Sequence, residues 1–189
     1  MTAPARLTRL LPAQLDDDQR TLYDAITTGP RAQGPQRFPL TAPDGSLNGP
    51  FNALLTSPAV GTALQEVGAA LRYRTGLDDR SREIGILLVA ARWDSAFERS
   101  AHEAIARGLG FTEEELLALR REDLDLLAGT LTETELAVGR VVVALLDGDL
   151  DDAQWDAATA ALGEAALFEL TTLVGYYATL ALQLRVFRV

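Results

Sequence analysis

Apolar residues recur along this chain at three- and four-residue intervals, and the recurring segments are bounded by capping residues, glycines and prolines, which is the pattern of amphipathic helices. From Asp16 to Thr27, Leu15, Leu22, Tyr23 and Ile26 fall at helical spacing, and Gly29-Pro30 ends the segment. Ser57 caps a second helix that opens on Pro58 and places Val60, Leu64, Val67 and Leu71 on one face before Gly76 stops it. Asp78 caps a third, with Ile84, Leu87, Leu88 and Ala91 as its stripe up to Arg92 or Trp93. After a break at Asp94-Ser95 a fourth runs to Gly108. Thr112 with Glu115 and Thr132 with Glu135 are capping boxes, in which hydroxyl and carboxylate satisfy each other's free backbone amides, so two more helices begin there. Asp152 to Leu162 and Ala165 to Arg188 complete the set, the last spanning roughly 36 Å if unbroken.

No segment alternates with period two between turn dipeptides, so the expectation is an all-α bundle of about eight helices. The pairing of Arg82-Glu83-Ile84 with Phe168-Glu169-Leu170 is too short to establish an internal repeat. Residues 29–50, rich in proline and glycine with a turn signal at Pro43-Asp44-Gly45, form a long connection; it reads as a surface arm for oligomer packing or as a substrate lid. Leu170 to Leu184 is the longest uncharged stretch and falls short of the roughly 20 apolar residues of a bilayer crossing, so it reads as a buried helix at a core or subunit interface.

Composition then narrows the chemistry. A formal net charge of −10 disfavours nucleic acid and anionic membrane surfaces as partners, because both are bound through lysine and arginine. Residues 1–15 lack a continuous apolar core, so no secretory signal is read and the cytoplasm is the expected location. The chain has no cysteine, which excludes disulfides, thiolate metal ligands and thiol nucleophiles. It has one histidine, His102. Glu98 stands one turn before it on the same face, Ser95 three residues further back, and Glu83 on the preceding helix, where a helical hairpin would bring it alongside. Two carboxylates, an imidazole and a hydroxyl are a workable acid–base set; the competing reading is a solvated surface pair. No metal site is expected, since helical di-iron centres use paired Glu-x-x-His motifs and this chain has a single histidine at another spacing. Tyr176 and Tyr177 either line a pocket or pack in an interface.

The run from Asp78 to Ala90, with Arg82-Glu83-Ile84-Gly85 inside it, then Ser95-Ala96-Phe97-Glu98-Arg99-Ser100-Ala101-His102 and Ala106-Arg107-Gly108-Leu109, resembles the core signature of the carboxymuconolactone decarboxylase family. That family includes the alkyl hydroperoxidase D-type peroxidases. Gly49-Pro50-Phe51-Asn52, Ser57-Pro58, Leu162-Gly163-Glu164, Glu169-Leu170 and Gly175-Tyr176-Tyr177 add to the resemblance, which covers most of the chain from Gly49 onward. It implies an alkyl hydroperoxidase D-like bundle, with residues 1–48 as an N-terminal helix and extended arm and residues 49–189 as one compact domain.

In the peroxidase branch the helix carries Cys-x-x-Cys, then a histidine, with a relay glutamate on the preceding helix. On this chain those places are held by Ser95, Glu98, His102 and Glu83, so thiol peroxidase chemistry is excluded. The decarboxylase branch resembles Glu-Trp-x-x-His, with Glu98 and His102 in place and Arg99 where the tryptophan usually stands. This resemblance implies cofactor-free decarboxylation or proton transfer on a small carboxylated, lactone-like substrate, with His102, Glu98 and Glu83 catalytic. An anionic substrate also calls for a cation: Arg72, Arg74, Arg82 and Arg99 are the candidates, with Arg99, Ser95 and Arg72 taken as substrate-binding. Two further readings stand beside it: a redox-linked accessory protein without thiol turnover, and a noncatalytic homo-oligomer. The resemblance implies a homotrimer or homohexamer. Catalysis requires the imidazole to face an interior hollow.

Overall fold

The computed structural model describes residues 5–33 and 38–189. Residues 1–4 of the segment read for a signal, and residues 34–37 of the 29–50 connection, lie outside the described residues. The fold is all-α; among the described residues nine α-helices form, and the only β contact is one isolated bridge, Thr41 with Leu47. They are α1 (Asp17–Thr28), α2 (Pro50–Leu54), α3 (Pro58–Tyr73), α4 (Asp79–Arg92), α5 (Ala96–Gly108), α6 (Glu113–Arg121), α7 (Leu124–Leu127), α8 (Glu133–Asp147) and α9 (Asp152–Phe187). The short α2 and α7 have too few turns to show periodicity, and so escape the sequence reading. Gly163, at φ 79° and ψ 160°, interrupts α9, which accounts for the two helices expected there.

By packing the chain divides into two units, one of residues 1–73 with 182–189 and one of residues 74–181. The 1–48 and 49–189 division above follows the motif matches instead. In the first unit, α1 packs on α3, and α2 on α3. Its core is Leu22, Ile26, Leu40, Leu47, Phe51, Leu54 and Leu55. The Asn52 side chain accepts from Leu10 N at 3.1 Å and donates to Thr8 O at 3.2 Å, which pins the N-terminal segment. The expected apolar face of α3 is corrected: Val60 is 58% exposed and Val67 38%, while Gly61, Gln65, Gly68 and Leu71 are buried. The cause is close backbone approach. A Cβ on Gly61 would stand 2.3 Å from Leu54 O, so the helix turns its small residues inward and leaves its valines outside.

The second unit is organised around α4, which packs against α5, α6 and α8. Every residue from Ser81 to Ala90 is buried, so α4 is enclosed on all sides rather than along a single stripe. Gly85 admits Leu173 of α9 and Val142 of α8 close to its backbone. The two capping boxes form as read: Glu115 N donates to Thr112 Oγ1 and Glu135 N to Thr132 Oγ1. By length and composition α9 would also pass for a bilayer-crossing helix. It is broken at Gly163, however, and Leu170, Leu173, Tyr177 and Leu180 along it are buried within the protein.

Candidate functional site

Enclosure of α4 decides where its charged residues go. Glu83 has no exposed surface and Arg82 retains 7%, within a run that is otherwise aliphatic apart from Ser81. A carboxylate so placed needs a partner, because an unpaired buried charge costs several kcal/mol. Its partner comes from α5: His102 Nδ1 lies 2.7 Å from Glu83 Oε2, in a fully buried contact. The α5 register then sets the other side of the ring. Glu98, one turn earlier, places Oε2 3.5 Å from His102 Nε2. His102 is 4% exposed and Glu98 3%. The surface-pair reading of these residues is therefore wrong for this chain.

Both ring nitrogens thus face carboxylate oxygens. A carboxylate only accepts hydrogen bonds, and a neutral imidazole carries one N–H. The set is fully paired only when it holds one proton beyond a neutral ring and two carboxylates, on the ring or on Glu98. Tyr177, from α9, packs on the imidazole in a T-shaped contact at 5.3 Å between ring centroids, and Tyr176 packs on Tyr177 at 5.2 Å in the same way.

The structure thus brings Glu83, Glu98 and His102 together, and Tyr177 with them. Glu83 is the closer partner of the ring, a place that helical spacing alone would give to Glu98. Ser95 is 7% exposed and opens α5 as its N-cap, with no hydrogen-bond partner for its hydroxyl. Arg99 is not gathered in: its guanidinium is about one-third exposed and reaches Asp94 Oδ1 at 3.4 Å. Arg72 belongs to the other unit, where its guanidinium lies 6.0 Å from the Tyr73 ring. Arg82, one of the four candidate cations, is the one that lies beside the site, although Arg99 is favoured by sequence. Its Nη2 donates to Asp79 Oδ1 at 2.6 Å, and its Nε lies 3.9 Å from Glu83 Oε1. The signal was present as a charged pair at the head of a continuous apolar run, since such charges are seldom buried without purpose.

A hollow of about 720 Å³ lies elsewhere in this unit, lined by Leu124, Leu136, Arg140, Ala144, Leu150 and Ala158 among others. None of the site residues lines it, so the expectation that His102 faces this kind of open interior space is not met there. His102 is 4% exposed, so a ligand would reach the ring only if the side chains covering it moved aside.

Residues 58–138 match the model of the carboxymuconolactone decarboxylase family. No curated protein matches the chain. Among solved structures, the chain is similar to an uncharacterized peroxidase-related protein from Ralstonia eutropha JMP134, described as an alkylhydroperoxidase AhpD core. The TM-score is 0.73 at 15% sequence identity, covering 98% of this chain and 91% of that one, which shows a shared fold.

Proposed function

We propose that this chain, whose residues 58–138 match the carboxymuconolactone decarboxylase family model, is an enzyme moving protons without a cofactor, on a small carboxylated, lactone-like substrate. The observation that carries the reading is the buried imidazole held between two carboxylates from two helices. Loss of CO₂ from a carboxylated butenolide leaves its electron pair as a dienolate, which must be held and then protonated on carbon. Glu83 fixes Nδ1, so Nε2 and Glu98 form the exchangeable end that delivers or removes the proton. Peroxide reduction through a thiol is chemically closed to a chain without cysteine, whatever the likeness to a peroxidase-related protein.

The test is turnover of a panel of carboxylated butenolides in D₂O, followed by NMR for loss of the carboxyl group and deuterium entry at carbon. Wild type is expected to convert at least one member, and His102→Ala to lower the rate by about 10²–10⁴-fold with an unchanged circular dichroism spectrum. Full activity in that variant would remove His102 from the mechanism.

A further inference from the structure

The corner beside the imidazole holds two buried polar atoms without hydrogen-bond partners, Arg82 Nε and Glu83 Oε1. They stand 3.9 Å apart, too far to bond each other. One is a donor and the other an acceptor, and buried groups of either kind are seldom left unpaired. A single oxygen about 2.8 Å from both would subtend an angle of roughly 90° between them, within reach of ordinary hydrogen-bond geometry. That oxygen must accept from the guanidinium and donate to the carboxylate. A hydroxyl does both. A carbonyl or a carboxylate accepts from Arg82 and leaves Glu83 Oε1 unpaired.

We propose that Arg82 and Glu83 form an enol-recognising corner: the substrate oxygen that is a carbonyl at rest binds there, and the corner is satisfied in full only when that oxygen becomes an enol hydroxyl. This rests on the reading of the site as a proton-transfer centre and adds the identity of the oxygen it handles. The corner favours the reactive form over the resting one, which is how binding becomes catalysis. In the return step the enol O–H bond breaks toward Glu83 Oε1. A C–H bond forms with a proton from the His102–Glu98 side, and the oxygen returns to C=O. Protons and electrons balance without a co-reactant. Arg82 holds the developing charge on oxygen, and Glu83, bonded to His102 through its other oxygen, couples the two ends of the proton shift.

Three ring-sized probes separate the alternatives: phenol, which carries an enol-like hydroxyl, cyclohexanone, which only accepts, and benzoate, an anion. Binding to the full chain and to each variant is read by isothermal titration calorimetry, which needs no reporter side chain. Phenol is expected to bind at least about tenfold tighter than either other probe. Arg82→Met should abolish that preference, Arg82→Lys should restore part of it, and Arg140→Ala, an exposed substitution on α8, should leave it unchanged. Equal binding of phenol and cyclohexanone, tighter binding of benzoate, no binding of phenol at millimolar concentration, or an unaltered preference in Arg82→Met would each overturn the proposal. His102→Gln keeps the phenol preference if the corner acts as proposed, even where turnover is lost. Failure of the corner and failure of the His102 mechanism are therefore told apart.

Discussion

Replacing Arg80 with methionine should destabilise the second unit by about 3 kcal/mol at neutral pH. Arg80 joins both capping boxes. Its Nε donates to Glu135 Oε1 at 2.5 Å and its Nη2 to Glu115 Oε1 at 3.2 Å, with its guanidinium 3.9 Å from the centre of the Phe111 ring. The two carboxylate side chains are only 8% and 6% exposed, so methionine would leave both buried without their cation. Breaking a buried ion pair costs about 3–5 kcal/mol. The lower figure applies because Arg80 is 27% exposed and because each carboxylate keeps the backbone amide of its own cap, Thr112 N at 2.7 Å or Thr132 N at 2.8 Å. At roughly 2–4 °C per kcal/mol for a chain of this size, Tm should fall by roughly 6–12 °C. Burial pushes Glu135 up, but the Thr132 amide and Arg80 outweigh it and hold the carboxyl below its ordinary value of 4.5. A depressed carboxyl stabilises the fold above that value and loses the contribution as pH falls through the depressed range. The gap between wild type and Arg80→Met, measured by calorimetry or urea unfolding, should therefore be widest near neutrality and narrow below about pH 4.5. A neutral-pH loss under about 1 kcal/mol, the scale of exposed pairs, would refute the argument that the pair counts as buried.

Two glycines should respond differently to alanine. At Gly61 the new Cβ would lie 2.3 Å from Leu54 O and 2.8 Å from Leu22 Cδ2, so Gly61→Ala should lower stability by about 3 kcal/mol or more in a denaturant titration. At Gly163 nothing stands within 4 Å, and only the backbone, at φ 79° and ψ 160° in a region nearly closed to other residues, is strained, so about 2 kcal/mol is expected; equal losses at the two sites would contradict the close-approach account. Burial also pushes Glu103 up, but Arg120 and Arg107 outweigh it and hold the carboxyl below its ordinary 4.5. The pair's stabilisation is thus present above that pH and lost as pH falls below it, and Arg120→Leu should remove this part of the acid dependence of Tm; an unchanged pH profile would sink it.

What was legible in the sequence was local. The capping boxes at Thr112 and Thr132, the Asp78 cap and the breaks at Asp94-Ser95 and after Leu162 each involve residues within one turn of one another, and all are found. The position of Glu98 and His102 on one helical face was legible for the same reason. What escaped depended on neighbours distant along the chain. The inward face of α3 is set by how closely the Leu54 backbone approaches Gly61, and apolar periodicity carries no record of that distance. Arg80 bonds residues 35 and 55 positions away, so nothing near it in sequence marks it as a shared support for two caps. The choice of Arg99 over Arg82 as the site's cation followed closeness in the chain, whereas burial singles out Arg82.

The same contrast divides the work within the site. Arg82 and Glu83 sit in a helix buried along its central run, where a shift in either would disturb packing on several neighbours, so in the proposed mechanism they are the fixed end of the proton path. His102 and Glu98 sit on a helix whose other face is open: Phe97 and Arg99 are part-exposed and Ser100 is exposed. The longer of the two contacts to the ring, 3.5 Å against 2.7 Å, falls on this side. The proposed proton transfer needs one partner that holds the ring and another loose enough to exchange with a ligand, and the difference in burial between α4 and α5 would supply both. Chemical variation on this scaffold therefore costs least along α5, and a chain that carries serine and glutamate at Ser95 and Glu98 can keep the Glu83–His102 bond while changing what the imidazole is used for.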